Sequence, residues 1–389
     1  MRRADRAVAL SRAAVAVLAV AAGTAIANAF ALQPALSDIA ADFGVPVSLI
    51  ATVASATMAG YIAGLALLMP LGDRMAPRAL LPGQLVVLAT VLVLASAAPG
   101  PGVLIGCFFA VGAASSVAAQ CSAVVGRYAA CGERARAMGA VAAGISAGIL
   151  LSRFAGGLLT QWWGWRGALR GLASLTLLSA LCLWPLLPGH LKQTGADYFA
   201  TLRAIPRLWR ESTVLRKSTH AGMLWFFAFN LIWVGLSIRL AGAPYHLSPA
   251  SIGLFSLAGL LGLAVTRVAG RLADRFGTRV VMLAGLSTAS VSAGALALPI
   301  GHLAWTAAAL AVFDAGCFAA QVANQSRVVA IDPGRSGSLS AAYLTLYYAA
   351  GAVGAAVAGV IVATLGWGGV GCAAAFATAA AAVVGSKQK

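Results

Sequence analysis

The chain has 389 residues, of which 61% are hydrophobic and 10% charged, with a mean hydropathy of +0.90. Soluble domains carry about 45–50% apolar and about 25% charged residues, so an ordinary soluble enzyme, a disordered chain and a small disulfide scaffold are excluded. The net charge of +17, from 27 Lys and Arg against 10 Asp and Glu, sits in short segments between apolar runs, which is the mark of membrane topology and not of nucleic-acid binding.

The apolar runs fall at 13–36, 48–70, 80–98, 103–125, 137–160 and 167–187, then at 218–242, 251–269, 280–298, 303–326, 337–363 and 368–385. Each is long enough to cross a bilayer as a helix. They predict an all-α membrane protein with twelve spans, numbered here in chain order. The N-terminus is basic and then apolar from Ala13, with no clear small-residue cleavage site, so it reads as the first span and not as a removed signal. The six cysteines are scattered, mostly inside apolar runs, and read as packing residues.

The charges set the expected orientation. Alternate connections hold Arg2, Arg3, Arg6 and Arg12; Arg74 and Arg78; Arg127, Arg134 and Arg136; Lys192, Arg203, Arg207, Arg210, Arg216 and Lys217; Arg271, Arg275 and Arg279; Arg327 and Arg335; Lys387 and Lys389. That is 22 of the 27 basic residues, and the other connections hold essentially Arg166. Cytoplasmic loops collect Lys and Arg, so both termini are predicted in the cytoplasm. The longest connection, 188–217, interleaves Phe199, Leu202, Ile205, Leu208 and Trp209 with Arg203, Arg207 and Arg210. It predicts a basic amphipathic helix on the inner leaflet, with a plain linker of solvated charges as the alternative. It divides the chain into 1–187, 188–217 and 218–389.

The two halves repeat. Leu71-Gly72-Asp73-Arg74 matches Leu272-Ala273-Asp274-Arg275, and Ala118-Ala119-Gln120 matches Ala319-Ala320-Gln321, both offset by 201. Gly164-Trp165 matches Gly366-Trp367, and Asn28 matches Asn230, both offset by 202. Two related six-helix halves form the architecture of a rocking transporter with its site between them.

At Gly270-Arg271-Leu272-Ala273-Asp274-Arg275-Phe276-Gly277-Thr278-Arg279 the chain resembles the G-x-L-A-D-R-x-G-x-R loop of the major facilitator superfamily. The first-half copy, Pro70-Leu71-Gly72-Asp73-Arg74-Met75-Ala76-Pro77-Arg78, keeps the Asp and Arg. The segment Asn28 to Phe43 with Gln33-Pro34, and Asp314-Ala315-Gly316 followed by Gln321 and Asn324-Gln325, are similar to bacterial drug- and sugar-efflux-like members. Gly139, Gly148, Gly156 and Gly157 match the antiporter motif of span 5, while Ser152 and Arg153 stand where that motif has Gly and Pro. Phe108 stands in place of the basic residue typical of span 4. The resemblance implies a fold of two six-helix bundles and alternating access. It implies a bacterial inner-membrane location, a small-molecule solute with protons as partners, no cofactor, and a monomer. It also implies that Asp73 meets the start of span 11 and Asp274 the start of span 5, latching the cytoplasmic side. On physical grounds a carboxylate at such a place can accept N–H groups of a helix N-terminus, and Arg78 and Arg279 can pair with acids on adjacent connections.

Ionisable groups at membrane depth cost roughly 2.5–3.5 kcal/mol on insertion scales, so they need a reason. Asp314 falls about eleven residues into span 10, near the midplane. On a helical wheel Asp314, Cys317, Gln321, Asn324 and Gln325 share one arc of about 100°. This stripe reads either as a pathway wall with Asp314 as protonation site, or as a structural Asp. Arg153, roughly sixteen residues into span 5, reads as a partner for Asp314, as a holder of an anionic solute group, or as a cation reaching the outer interface. Asn28, Gln33, Gln120, Asn230, Trp233, Tyr343 and Tyr347 add candidate pathway surface, each with the alternative of helix–helix bonding. Gly60-x3-Gly64, Gly144-x3-Gly148 and Gly351-x2-Gly354 predict close packing and sliding between the halves.

No H-E-x-x-H, nucleophile elbow or G-x4-G-K-[ST] occurs, and the four histidines are far apart. An enzyme or primary pump is therefore not expected. The expected function is proton-coupled efflux of a small organic solute, such as a drug, sugar or metabolite. The alternative is an importer or uncoupled facilitator on the same fold.

Overall fold

A computed structural model describes residues 10–130, 133–189, 209–210, 212–332 and 336–386, without the side chains of some helical residues, among them Asp73, Arg267 and Asp274. In chain order the helices are α1 (Arg12–Ala27), α2 (Leu36–Phe43), α3 (Val47–Leu67), α4 (Pro77–Ser96), α5 (Pro101–Ser115), α6 (Val117–Tyr128) and α7 (Arg134–Leu183). They continue as α8 (Thr213–Ala241), α9 (Pro249–Leu254), α10 (Leu260–Phe276), α11 (Thr278–Ala297), α12 (Leu303–Ala330) and α13 (Ser336–Ser386). No strand occurs among the described residues. The expected amphipathic helix of the central connection falls mostly outside them.

Local chemistry sets the helix starts. The Ser11 hydroxyl accepts from the Ala14 N–H, Ser212 from Leu215, and Ser248 from Ser251. Pro77, Pro101 and Pro249 open α4, α5 and α9, where a missing N–H costs no helical bond.

Eight helices among the described residues are long and apolar enough to cross a membrane. Two of them, α7 and α13, each contain two spans. Gly164 (φ 68°, ψ 167°) interrupts α7 and Gly366 (φ 66°, ψ −169°) interrupts α13. That backbone region is open essentially to glycine alone. The repeated Gly-Trp pair read from the sequence is thus the turn between spans 5 and 6 and its copy between spans 11 and 12. Spans 1 and 8 are interrupted too: turns and a short 3-10 helix, Gln33–Ala35, separate α1 from α2, and another, Phe255–Gly259, separates α9 from α10. The fold is the twelve-helix all-α architecture expected.

The described residues fall into two compact units, one within Met1–Ala35 and Ala56–Tyr198, the other within Leu36–Ser55 and Phe199–Lys389. In the first unit, α1 and α7 touch backbone to backbone. A Cβ added at Gly144 would lie 2.2 Å from the Ala19 carbonyl oxygen, one at Gly148 2.2 Å from that of Gly23, and one at Gly156 1.9 Å from that of Ala31. The α3–α5 contact is built the same way: a Cβ added at Gly60 would lie 1.8 Å from the Phe109 carbonyl oxygen, and one at Gly112 1.9 Å from that of Thr57. In the second unit α13 meets α8, where Gly354 would place a Cβ 2.3 Å from the Phe227 carbonyl oxygen. The glycine motifs predicted to let the halves slide are therefore used inside each unit, to bring helices into backbone contact. Large apolar side chains such as Val291, Leu365 and Phe376 are exposed, as lipid-facing residues must be.

Candidate functional site

The stripe on α12 turns inward, with Gln321 and Gln325 half-buried at its far end. Asp314 is 0% exposed, and Cys317 and Asn324 are buried with it. The Trp233 indole N–H donates to Asp314 Oδ1 at 3.2 Å, joining α12 to α8. Two and nearly three turns further along α12, the Tyr343 hydroxyl donates to Gln321 Oε1 at 2.9 Å, and Asn324 Nδ2 donates to the Ser218 carbonyl at 2.8 Å. Gln325 accepts from Gln321 Nε2 at 3.4 Å. The stripe thus ties α12 to both α8 and α13 within the second unit.

Aromatic rings line the same region. Phe226 and Tyr347 stack with centroids 3.9 Å apart, Phe229 stacks on Phe226 at 6.0 Å, and Trp225, Tyr343 and Tyr348 close around them edge-on or tilted. Phe229 links this cluster to Trp233, and hence to Asp314, at 6.3 Å between centroids. Gly222 and Gly351 leave the room: a Cβ on either would meet Tyr343 or Phe226 within 2.6 Å. Asn230, 0% exposed, donates to the Phe226 carbonyl of its own helix, and its Oδ1 has no partner.

The first unit holds a second buried polar cluster. Asn28 closes α1, and its Nδ2 donates to Thr176 Oγ1 at 3.0 Å. Arg153 is 1% exposed. Its Nε donates to Gln33 Oε1 at 2.7 Å, and its guanidinium carbon lies 4.9 Å from the centre of the Phe30 ring. Burial inside the unit rules out the reading of an Arg that reaches the outer interface. Asn28 and Asn230, matched in sequence, have different partners. Thr176 and Thr378 form a further pair at offset 202, both buried and both donating to the carbonyl four residues back.

The loop after α3 is braced from α6. Gln120 Nε2 donates to the Leu68 carbonyl at 2.8 Å, and Arg127 Nη1 to the Gly72 carbonyl at 2.9 Å. At the break between α5 and α6, Gln84 Nε2 reaches both the Ala114 carbonyl and Ser116 Oγ at 3.0 Å. Sequence reading passed over Gln84 and Thr176, and took Arg127 only as a connection charge. A polar residue inside an apolar run was the available signal for Gln84 and Thr176. The partners of Arg127 become visible only when the helices are assembled.

For the loop motifs, the side chains of Asp73 and Asp274 and the segment 333–335 lie outside the described residues, so the expected latch contacts do too. Arg74 and Arg275 are exposed, and Arg275 lies over the Phe276 ring. Arg78 lies over the Trp184 ring, and Arg279 donates to the Ser386 carbonyl. Arg78 thus meets an aromatic face and Arg279 a helix end. Gly277 (φ 88°) makes the turn from α10 to α11, and Gly270 sits in α10 one helical turn before Asp274.

Comparison with known proteins agrees with this architecture. The profile of the Major Facilitator Superfamily matches residues 18–354. The uncharacterized transporter YgaY of Escherichia coli O157:H7 is 30% identical over 369 residues, covering 93% of this chain and 92% of its own. The probable transporter SCO4007 of Streptomyces coelicolor is 34% identical over 347 residues, covering 88% and 80%. Among solved structures, the nucleoside transporter NupG (D323A mutant) superposes with a TM-score of 0.78 at 14% identity, over 96% of this chain and 98% of its own. A bacterial homologue of the human lysosomal transporter Spinster, inward-facing and occupied, gives 0.77 at 13% identity, over 96% and 95%. These two show the shared fold. The chain is a multi-pass membrane transporter of the major facilitator superfamily.

Proposed function

We propose that the chain exports a small organic solute in exchange for protons, by alternating access of two six-span halves, 1–187 and 218–389. Asp314 is the protonation site in this reading. The observation that carries it is an acid with no solvent exposure in the middle of an apolar helix, held by an indole N–H and surrounded by aromatic rings. A carboxyl there has a reason to be retained if it exchanges a proton during the cycle. Arg153 is the fixed cation of the coupling set. The pathway comprises Asn28, Gln33, Gln120, Asn230, Trp233, Gln321, Asn324, Gln325, Tyr343 and Tyr347. Buried amide atoms without partners, namely Asn28 Oδ1, Gln33 Nε2, Gln120 Oε1, Asn230 Oδ1 and Asn324 Oδ1, support that reading, because each costs free energy unless something bonds it during the cycle.

The transporter acts as a monomer in the bacterial inner membrane, with both termini in the cytoplasm, an orientation supported by the distribution of Lys and Arg. The loops around Asp73 and Asp274, with Arg74, Arg78, Gly270, Arg275, Gly277 and Arg279, form the cytoplasmic latch. A second reading, import or uncoupled facilitation, is favoured by one observation. Phe108 fills the place of the usual basic residue of span 4 and is buried.

Everted membrane vesicles separate the two. With an inside-acid gradient, wild type accumulates solute and Asp314→Asn, inserted at equal amount, does not. Accumulation that ignores the gradient, or survives the substitution, favours the facilitator.

A further inference from the structure

We propose that the furrow between α1 and α7 holds one anionic phospholipid, with its phosphate at Arg136 and an acyl chain along the two helices. The inference needs only that the chain spans a membrane, and does not depend on the role of Asp314.

Two cavities of the first unit make up the furrow. One, of about 230 Å³, lies where α1 and α7 begin, with Arg12, Glu133 and Arg136 in its wall. The other, of about 470 Å³, continues from it, and both share Ala140. On α1 the lining runs through Arg12, Ala16, Ala19, Gly23 and Ala27. On α7 it runs through Arg136, Ala140, Ala143, Ala147 and Leu151. Steps of three and four residues keep to one face of a helix. The two helices run parallel, because Gly144 meets Ala19 and Gly148 meets Gly23. The furrow therefore follows their seam from Arg12 to Ala27, about 22 Å at 1.5 Å per residue. One leaflet of a hydrocarbon core is about 15 Å deep, so an acyl chain fits along it with the head group at the Arg12 end.

The seam is open because its residues are small. Gly144 and Gly148 put backbone on its floor, while Val20, Leu151 and Leu175 line it and remain exposed. Atoms that line an unfilled slot lose dispersion contacts, and hydrocarbon restores them.

Charge selects the lipid. Arg12 pairs with Glu133 at 2.9 Å, which cancels one cation. Two arginines and one glutamate leave the first cavity with a net charge of +1, carried by the exposed Arg136. The lining of the second cavity has no charged residue among the described residues. The complement is a molecule with one negative charge at one end and hydrocarbon below it. A guanidinium can bond two phosphate oxygens at once. A zwitterionic head group adds a cation at the same end, where Glu133 is already paired. The cavity between α11 and α12 gives the contrast. It has about 530 Å³ and no charged residue in its lining, so it should take hydrocarbon whatever the head group.

Native mass spectrometry of the purified full chain tests the site. The probes are dioleoyl phosphatidylglycerol and dioleoyl phosphatidylcholine in equal amounts, with glycerol 3-phosphate as a phosphate that lacks acyl chains. Wild type should retain phosphatidylglycerol about fivefold over phosphatidylcholine, the effect of one basic residue at a membrane surface. Arg136→Gln should retain the two equally. Ala143→Trp fills the furrow at an exposed position and should abolish the preference. Ala308→Trp fills the α11–α12 cavity, also at an exposed position, and should leave the preference unchanged. Equal retention of both lipids in wild type marks ordinary boundary lipid and overturns the site. An unchanged preference in Arg136→Gln or in Ala143→Trp does so too. Release of phosphatidylglycerol by glycerol 3-phosphate shows a phosphate site without a chain and overturns the lipid. A dimer that Ala143→Trp abolishes gives the furrow to a second copy, with the same consequence.

Discussion

Gly148→Ala should destabilise the first unit far more than one methyl group ordinarily does. The new Cβ would lie 2.2 Å from the Gly23 carbonyl oxygen and 2.8 Å from both its carbonyl carbon and its Cα. Ordinary contact begins near 3.4 Å, so α1 and α7 must separate by about 1 Å. The atoms met are backbone, so no side chain can rotate away. Separation also loosens the reciprocal packing of Gly23 and Gly144, where an added Cβ would lie 2.5 and 2.2 Å from the carbonyl oxygens of Gly144 and Ala19. Overpacking of this kind costs about 1–3 kcal/mol, and this case belongs at the upper end. Gly139→Ala, in the same helix with nothing within 4 Å of its Cβ, is the control. It should be neutral or stabilising by up to about 1 kcal/mol. Titrating both variants with SDS in mixed micelles and following tryptophan fluorescence gives the comparison. Equal midpoints for Gly148→Ala and Gly139→Ala would refute the backbone-contact argument.

Other outcomes follow from single interactions. Gly164→Ala and Gly366→Ala place a side chain at φ 68° and 66°, so each should cost about 1–3 kcal/mol and by similar amounts, checked by the same titration. The Asn28–Thr176 hydrogen bond should give a coupling of about 0.6 kcal/mol in a double-mutant cycle of Asn28→Leu and Thr176→Val. A coupling near zero would mean the two side chains do not interact in the folded chain. Trp233→Phe keeps the ring but removes a donor from Asp314, at a cost of about 1.5–3 kcal/mol. Gradient-driven transport should fall by about tenfold or more while Phe229→Leu retains most of it.

The fold was legible because its determinants are local. Twenty apolar residues in water have no choice but a membrane, and Gly-Trp at 164 and again at 366 marked two turns whose backbone only glycine adopts. The buried face of α12 was legible too, since Asp314, Cys317 and Asn324 recur at helical spacing. What the sequence hid is pairing between distant segments. Gln120 and Gln321 occupy matching places, yet one braces the Leu68 carbonyl and the other meets Tyr343. Arg153 was readable as a costly cation, but not as the partner of Gln33, which lies 120 residues away. The glycine motifs announced close packing correctly and its location incorrectly, because periodicity names a face and not the helix that covers it.

The central claim is that Asp314 couples proton movement to solute movement. Its most direct test is to compare two modes of transport in proteoliposomes holding Asp314→Asn. Solute exchange at equal concentration and equal pH needs no net proton transfer, whereas accumulation against a gradient does. The account predicts that exchange persists near the wild-type rate while pH-driven accumulation is lost. Accumulation retained at the wild-type level, or loss of both modes in a correctly folded variant, would contradict it.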